Sequence, residues 1–186
     1  MPEPSKLTRI PSLKTVEAFR AHVASLGVEI PCDDDIATEA SPIAEPLSGL
    51  EINGKILGNR IALQPMEGWD GTTDGRATDA VRRRWRRFGE SGAKLICGAE
   101  AMAVRPDGRA NPNQLLISDA TKGDLVELRE ILLAAHREKF GGTDDLAIGF
   151  QLTHSGRFCR PNGKFTYEPK VAYRHPILDG KFGVTG

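Results

Sequence analysis

Three short clusters in this 186-residue chain carry side chains suited to chemistry. The first is Gln151-Leu152-Thr153-His154-Ser155-Gly156-Arg157, a polar run delivered at the end of an apolar segment. His154, taken by itself, has the chemistry of an acid or a ligand. The second is Pro65-Met66-Glu67, followed by a loop from Gly68 to Gly75 whose glycines permit close backbone approach. The third is Gly98-Ala99-Glu100-Ala101-Met102, which leads to Pro106-Asp107-Gly108-Arg109.

Two further features have plain alternatives. Cys32, Cys97 and Cys159 lie more than sixty residues apart, which suits neither a disulfide framework nor the close pairs of a zinc site. Cys97, inside an apolar run, is expected to be a small core residue. The run Arg82-Arg83-Arg84-Trp85-Arg86-Arg87 has the composition of a nucleic-acid patch. On a helix, however, its arginines spread around the cylinder. Val81, Trp85 and Phe88 then share a packing face, and the arginines take the solvated side or pair with acids. No nucleic acid is expected as a partner.

Periodicity supplies the elements that must position these clusters. After Thr15, the apolar residues Val16, Phe19, Val23 and Leu26 recur at helical spacing and predict one short amphipathic helix, which Gly27 ends. From Val28 to Ser48 prolines and a run of aspartates break any period, so an extended segment is expected. Leu50-Glu51-Ile52 and Lys55-Ile56-Leu57 flank Asn53-Gly54, the dipeptide of a type I′ hairpin. A strand at Ile61–Gln64 precedes the second cluster, and a helix runs from Thr78 or Asp79 to Phe88. A strand at Ala93–Cys97 opens into the third cluster. The next helix shows Leu125, Leu128, Leu132 and Ala135 on one face, Thr121 or Asp124 as cap, and Gly141-Gly142 as terminator. A last strand, Leu146–Phe150, delivers Gln151 at its end. From Phe165 to Gly186 no helical period is evident.

Alternation of strand and helix specifies parallel strands with helical crossovers, in a barrel or in an open doubly wound sheet. Periodicity does not choose between them. Each polar cluster follows the carboxyl end of a strand, where α/β folds build their sites. Neither a GxGxxG after the first strand nor a GxxxxGK[ST] is present, so the usual open-sheet nucleotide readings lose their support.

Lysine plus arginine and aspartate plus glutamate number 25 each, so no net field draws the chain to nucleic acid or an anionic membrane. The opening Met1-Pro2-Glu3-Pro4-Ser5-Lys6 is polar and proline-rich, and no stretch approaches membrane-spanning length. A reduced cytoplasmic location and no membrane partner are the expectation.

Several of these segments together resemble the old yellow enzyme family of NADH:flavin oxidoreductases and FMN-dependent ene-reductases. The resemblance rests on Asn59-Arg60-Ile61-Ala62-Leu63-Gln64-Pro65-Met66, Asp70-Gly71 and Thr78-Asp79. It continues through Gly92-Ala93-Lys94-Leu95-Ile96, Glu100-Ala101, Ala103-Val104, Gly108-Arg109 and His136. Its most distinctive part is Gln151-Leu152-Thr153-His154-Ser155-Gly156-Arg157. It covers roughly residues 48 to 160, in order.

The resemblance implies an α/β TIM (β/α)8 barrel, here as an incomplete barrel of about the first three β/α units. A full barrel usually needs roughly 250 residues. Residues 1–48 would form an N-terminal extension with one short helix, and 49–186 the first part of the FMN-binding barrel. The implied cofactor site uses backbone groups at Pro65 and Met66, the small Ala101, and the Gln151 amide on the ring's pyrimidine edge. Glu67 departs from the family's usual threonine or cysteine. It would lower the flavin potential by its charge, or turn away to pair with an arginine.

The implied activity is hydride transfer from NADH or NADPH through FMN to an activated alkene or similar small electrophile, with homo-oligomers possible. No catalytic residue and no metal ligand is assigned, because the family's substrate-binding pair and tyrosine acid arise on later barrel strands. The alternative is a truncated, non-catalytic remnant with weak FMN binding or an interaction role. Three isolated parallel strands would also leave sheet edges unpaired.

Overall fold

The computed structural model of the chain describes residues 7–35, 42–47 and 51–184. The expectations for Met1–Lys6, for residues 36–41 and 48 of the extended segment, for Leu50 and for residues 185–186 fall outside these. The chain divides into two compact units, Met1–Ser41 and Pro42–Gly186. In the first, α1 (Val16–Ser25) starts where the Thr15 side chain accepts a hydrogen bond from the Ala18 N–H, and it ends at Gly27 with φ +67°. Arg20 pairs with Asp34 at 2.7 Å, tying the helix to the segment that follows.

The second unit includes residues 42–47, since the Leu47 N–H donates to the Leu57 carbonyl at 2.9 Å. Strands β1 (Glu51–Ile52) and β2 (Lys55–Ile56) pair antiparallel across Asn53-Gly54, both at positive φ as a type I′ turn demands. The main sheet is parallel, in the order β3 (Ala62–Leu63), β4 (Leu95–Ala103), β5 (Ala147–Thr153). Helices α2 (Asp79–Glu90) and α3 (Lys122–Phe140) form its crossovers. The core lies between the helices and the sheet. Val81, Trp85, Leu128 and Leu132 from the helices meet Ile96, Ala99 and Met102 from β4. Phe150 of β5 reaches the same side, its ring 5.6 Å from that of Trp85.

The structure corrects several sequence expectations. Strand β4 does not stop at Cys97 but continues to Ala103 through a bulge. Four residue steps on β4, from Cys97 to Ala101, oppose two on β5, from Gly149 to Gln151. Gly98, at φ +66°, makes the bend. Cys97 is exposed rather than a core residue, because it faces away from the helices while its neighbour Ile96 is fully buried. Strand β5 carries Gln151, Leu152 and Thr153 within it rather than after it.

The start of α3 also differs from expectation. Thr121 is the residue before that helix, yet its hydroxyl bonds to Leu116 and Ser118 rather than capping the first turn. Asp124 accepts from the Ala77 N–H at 3.0 Å, holding the loop before α2 instead. A short helix, α4 (Leu178–Lys181), forms in the segment without a period. Among the described residues no helix is long and apolar enough to cross a membrane.

Candidate functional site at the carboxyl ends of the strands

Parallel pairing brings the three polar clusters to one end of the sheet. The Ala101 N–H donates to the Met66 carbonyl at 3.1 Å, and Ala101 stands in register with Gln151. Pro65 and Gln151 close on Gly98 from either side. A Cβ there would come within 2.8 Å of the Pro65 Cβ and 2.9 Å of the Gln151 nitrogen. Pro65, Met66, Ala101 and Gln151 are therefore neighbours.

Their exposure differs. Met66 is 68 % exposed and Gln151 is exposed, with no hydrogen bond to its side-chain amide among the described residues. Ala101, 1 % exposed, lies beneath this surface rather than on it. Glu67 is exposed and makes no ion pair among the described residues, so its pairing with an arginine is not what the structure shows.

Behind this surface lies a polar network that sequence reasoning did not find. Arg84 of α2 donates to Glu100 Oε2 through Nη1 and to Asp70 Oδ1 through Nη2, each at 2.7 Å. Glu100 is 0 % exposed, and its Oε1 accepts from the Gly68 N–H at 2.8 Å. Asn111 donates to the Gly68 carbonyl at 3.0 Å, so both sides of that glycine are held. Burial pushes the Glu100 carboxyl up, against the opposing pull of the Arg84 charge and the Gly68 N–H. Gln114, also fully buried, bridges the Ala101 carbonyl at 2.8 Å and the Thr153 hydroxyl at 3.1 Å.

The signal for Arg84 was hidden in an arginine run whose members look alike. Asn111 and Gln114 sit in Ala110-Asn111-Pro112-Asn113-Gln114, a stretch with no period to read. Arg82 and Arg86 do take exposed partners, Glu127 at 2.9 Å and Glu90 at 2.8 Å.

His154 and Arg157 serve their loop. His154 Nδ1 accepts from the Gly156 N–H at 3.2 Å. Arg157 is nine-tenths buried, donates to the Tyr173 carbonyl at 2.8 Å, and lies 2.9 Å from Asp179. Around it a cavity of about 660 Å³ opens between Ser155–Phe158 and Lys170–Tyr173. Among the described residues no group of three His, Cys, Asp or Glu side chains could hold a metal ion.

Fold and site together define a parallel β/α unit, with its polar residues gathered at the carboxyl ends of the strands. No family model and no curated protein matches the sequence. Solved structures do. An old yellow enzyme homologue from Zymomonas mobilis superposes with a TM-score of 0.54 at 21 % identity, over 72 % of this chain and 40 % of that one. A 2-naphthoyl-CoA reductase in complex with 2-naphthoyl-CoA gives 0.53 at 16 % identity, over 64 % of this chain and 16 % of that one. At these identities the likeness is one of fold, that of a partial TIM barrel, and the chain spans less than half the length of either structure.

Proposed function

We propose that the chain is part of an FMN-dependent oxidoreductase of the old yellow enzyme kind, with the flavin ring lying against Pro65, Met66, Glu67 and Gln151. The observation that carries this reading is the juxtaposition of Met66 and Gln151 on either side of Ala101, with the Gln151 amide exposed and uncommitted. The residues present fit such a ring. A side-chain amide matches a pyrimidine edge of carbonyl and N–H groups, and the small Ala101 beneath lets Met66 and Gln151 sit close. When bound, FMN would supply hydride transfer from NADH or NADPH to an activated alkene or similar electrophile.

The chain's own residues then have distinct tasks. Gln151 orients the cofactor, and the loop from Met66 to Gly68 shields one edge from water. Glu67 places a carboxylate beside it, which disfavours added negative charge and lowers the reduction potential. Replacing Glu67 with glutamine raises that potential. The test is to mix the chain with FMN, desalt it, and record visible absorbance and fluorescence. Retained, perturbed flavin that NADPH bleaches supports the reading. A folded chain from which all flavin washes away overturns it for this polypeptide.

A second reading, a non-catalytic interaction module, is favoured by the outer edge of β5. That edge has no strand partner among the described residues and carries Leu152 at 61 % exposure. Concentration-dependent mass in light scattering, unaffected by FMN, would favour this reading over the first.

A further inference from the structure

We propose that Arg84, acting through Glu100 and Asp70, is the positioning residue of the Met66–Asp70 loop and sets how that loop meets the flavin, an inference that rests on the cofactor reading above. Arg84 is the only side chain among the described residues bonded to both ends of this clasp. One arm goes to Glu100 and the other to Asp70. Glu100 in turn accepts from the Gly68 N–H, and the next residue, Ala101, donates to the Met66 carbonyl. The backbone of Glu67 is thereby fixed on both sides, and its side chain is left at the surface.

Three features show that the clasp is built for the loop. A Cβ at Gly68 would meet Glu100 Oε1 at 2.6 Å, Arg84 Nη2 at 2.8 Å and Asp70 Oδ1 at 2.8 Å, so glycine is what allows three polar groups to close on this backbone. The bulge in β4 inserts two extra residues immediately before Ala101, and Glu100 is the last of the segment it displaces. The far end of the loop is tied to the same helix, because the Thr78 hydroxyl at the start of α2 donates to the Asp70 carbonyl at 2.5 Å. Met66 is 68 % exposed, and among the described residues the backbone bond to its carbonyl is the one from the Ala101 N–H, so little burial holds this part of the loop in place.

Arg84 touches neither cofactor nor substrate in this scheme. It acts through the loop, so its signature is a change in loop order and cofactor spectrum without loss of the core. The experiment uses the whole chain with Glu100→Gln, Asp70→Asn, Arg84→Lys and the double variant Arg84→Met/Glu100→Gln. The double variant keeps the protein folded if Arg84→Met alone does not. Amide exchange at Gly68 and at core positions such as Ile96 and Leu128 is measured without cofactor, and FMN binding is followed separately by fluorescence quenching.

The expected result is Gly68 exchange about tenfold faster or more in Glu100→Gln and in the double variant, with core amides unchanged. FMN affinity falls about tenfold in the same variants, and Arg84→Lys recovers part of both effects. Folded variants whose Gly68 exchange stays at the wild-type rate overturn the proposal, whether or not FMN binds. Faster Gly68 exchange in a chain whose wild type takes up no FMN upholds the positioning of the loop and overturns the cofactor reading alone.

Discussion

Two ionic clusters stand at opposite ends of β4, and they are held differently. At the amino end Lys94 lies 2.8 Å from Asp145 and 3.0 Å from His136 Nε2, while His136 Nδ1 donates to the Gly89 carbonyl at 2.9 Å. That carbonyl fixes the neutral tautomer, leaving Nε2 to accept from the lysine. At the carboxyl end Glu100 is wholly enclosed between Arg84 and Gly68. The first cluster joins α2, α3 and β4, which the apolar core already fixes, and water reaches Asp145, whose side chain is 42 % exposed. The second holds a loop that the core does not fix, around a carboxylate with no access to water. The sheet thus places its least solvated charge where α/β folds build sites, and its half-solvated cluster at the other end.

Truncating each cation tests that contrast most directly. Arg84→Met leaves Glu100 buried without its counter-charge, which is expected to cost about 3–5 kcal/mol at neutral pH. Lys94→Met leaves Asp145 able to turn to water, and about 1 kcal/mol or less is expected. Urea unfolding of both variants gives the comparison. Equal losses would mean that the carboxyl-end cluster is no more enclosed than the other.

The pH dependence should differ in sign between the two ends. Burial raises Glu100 above its ordinary value of 4.5. Its contribution to stability is therefore fully present below 4.5 and is lost as pH rises through the folded value. Burial also lowers His136 below its ordinary 6.5, aided by the Lys94 charge and opposed by the Gly89 bond and Asp145. That contribution is fully present above 6.5 and is lost as pH falls through the folded value. In a stability series across this range, Glu100→Gln should remove a downward slope with pH and His136→Gln an upward one. Slopes of the same sign in both variants would contradict the assignment of desolvation as the leading cause at each site.

The elements around these clusters were more legible than the clusters themselves. Asn53-Gly54, Thr78 before α2, and the Leu125–Leu128–Leu132 face of α3 each carry a local signal, and the structure has the hairpin and helices they specify. Parallel pairing followed from the alternation of strand and helix. The run of β4 past Gly98 was not legible, because a bulge removes the two-residue alternation by which a strand is recognised. Cys97 reads as a core residue because it closes the apolar run Leu95-Ile96-Cys97, whose composition hides which face of the strand each side chain takes. The Arg84–Glu100 pair spans sixteen residues and two elements, so no spacing in the sequence marks it. Met66, Ala101 and Gln151 were found through a family resemblance rather than through any period, and their proximity depends on the register that the bulge sets.

The smallest effect expected concerns the stretch of β4 between the two clusters. Cys97 faces the open side of the sheet, whereas Cys159 is 0 % exposed and burial pushes its thiol up. In a Cys32→Ser background a thiol reagent should modify Cys97 promptly and Cys159 only as the chain unfolds. Cys97→Ser should change stability by no more than about 0.5 kcal/mol, as for other exposed positions. Added FMN should slow modification of Cys97 if the ring covers the adjoining surface at Gln151, and self-association through the open face should slow it in proportion to protein concentration. Slowing by FMN at constant protein concentration would mark the carboxyl end as the cofactor's side of the sheet, while slowing by concentration alone would mark the open face as an interface.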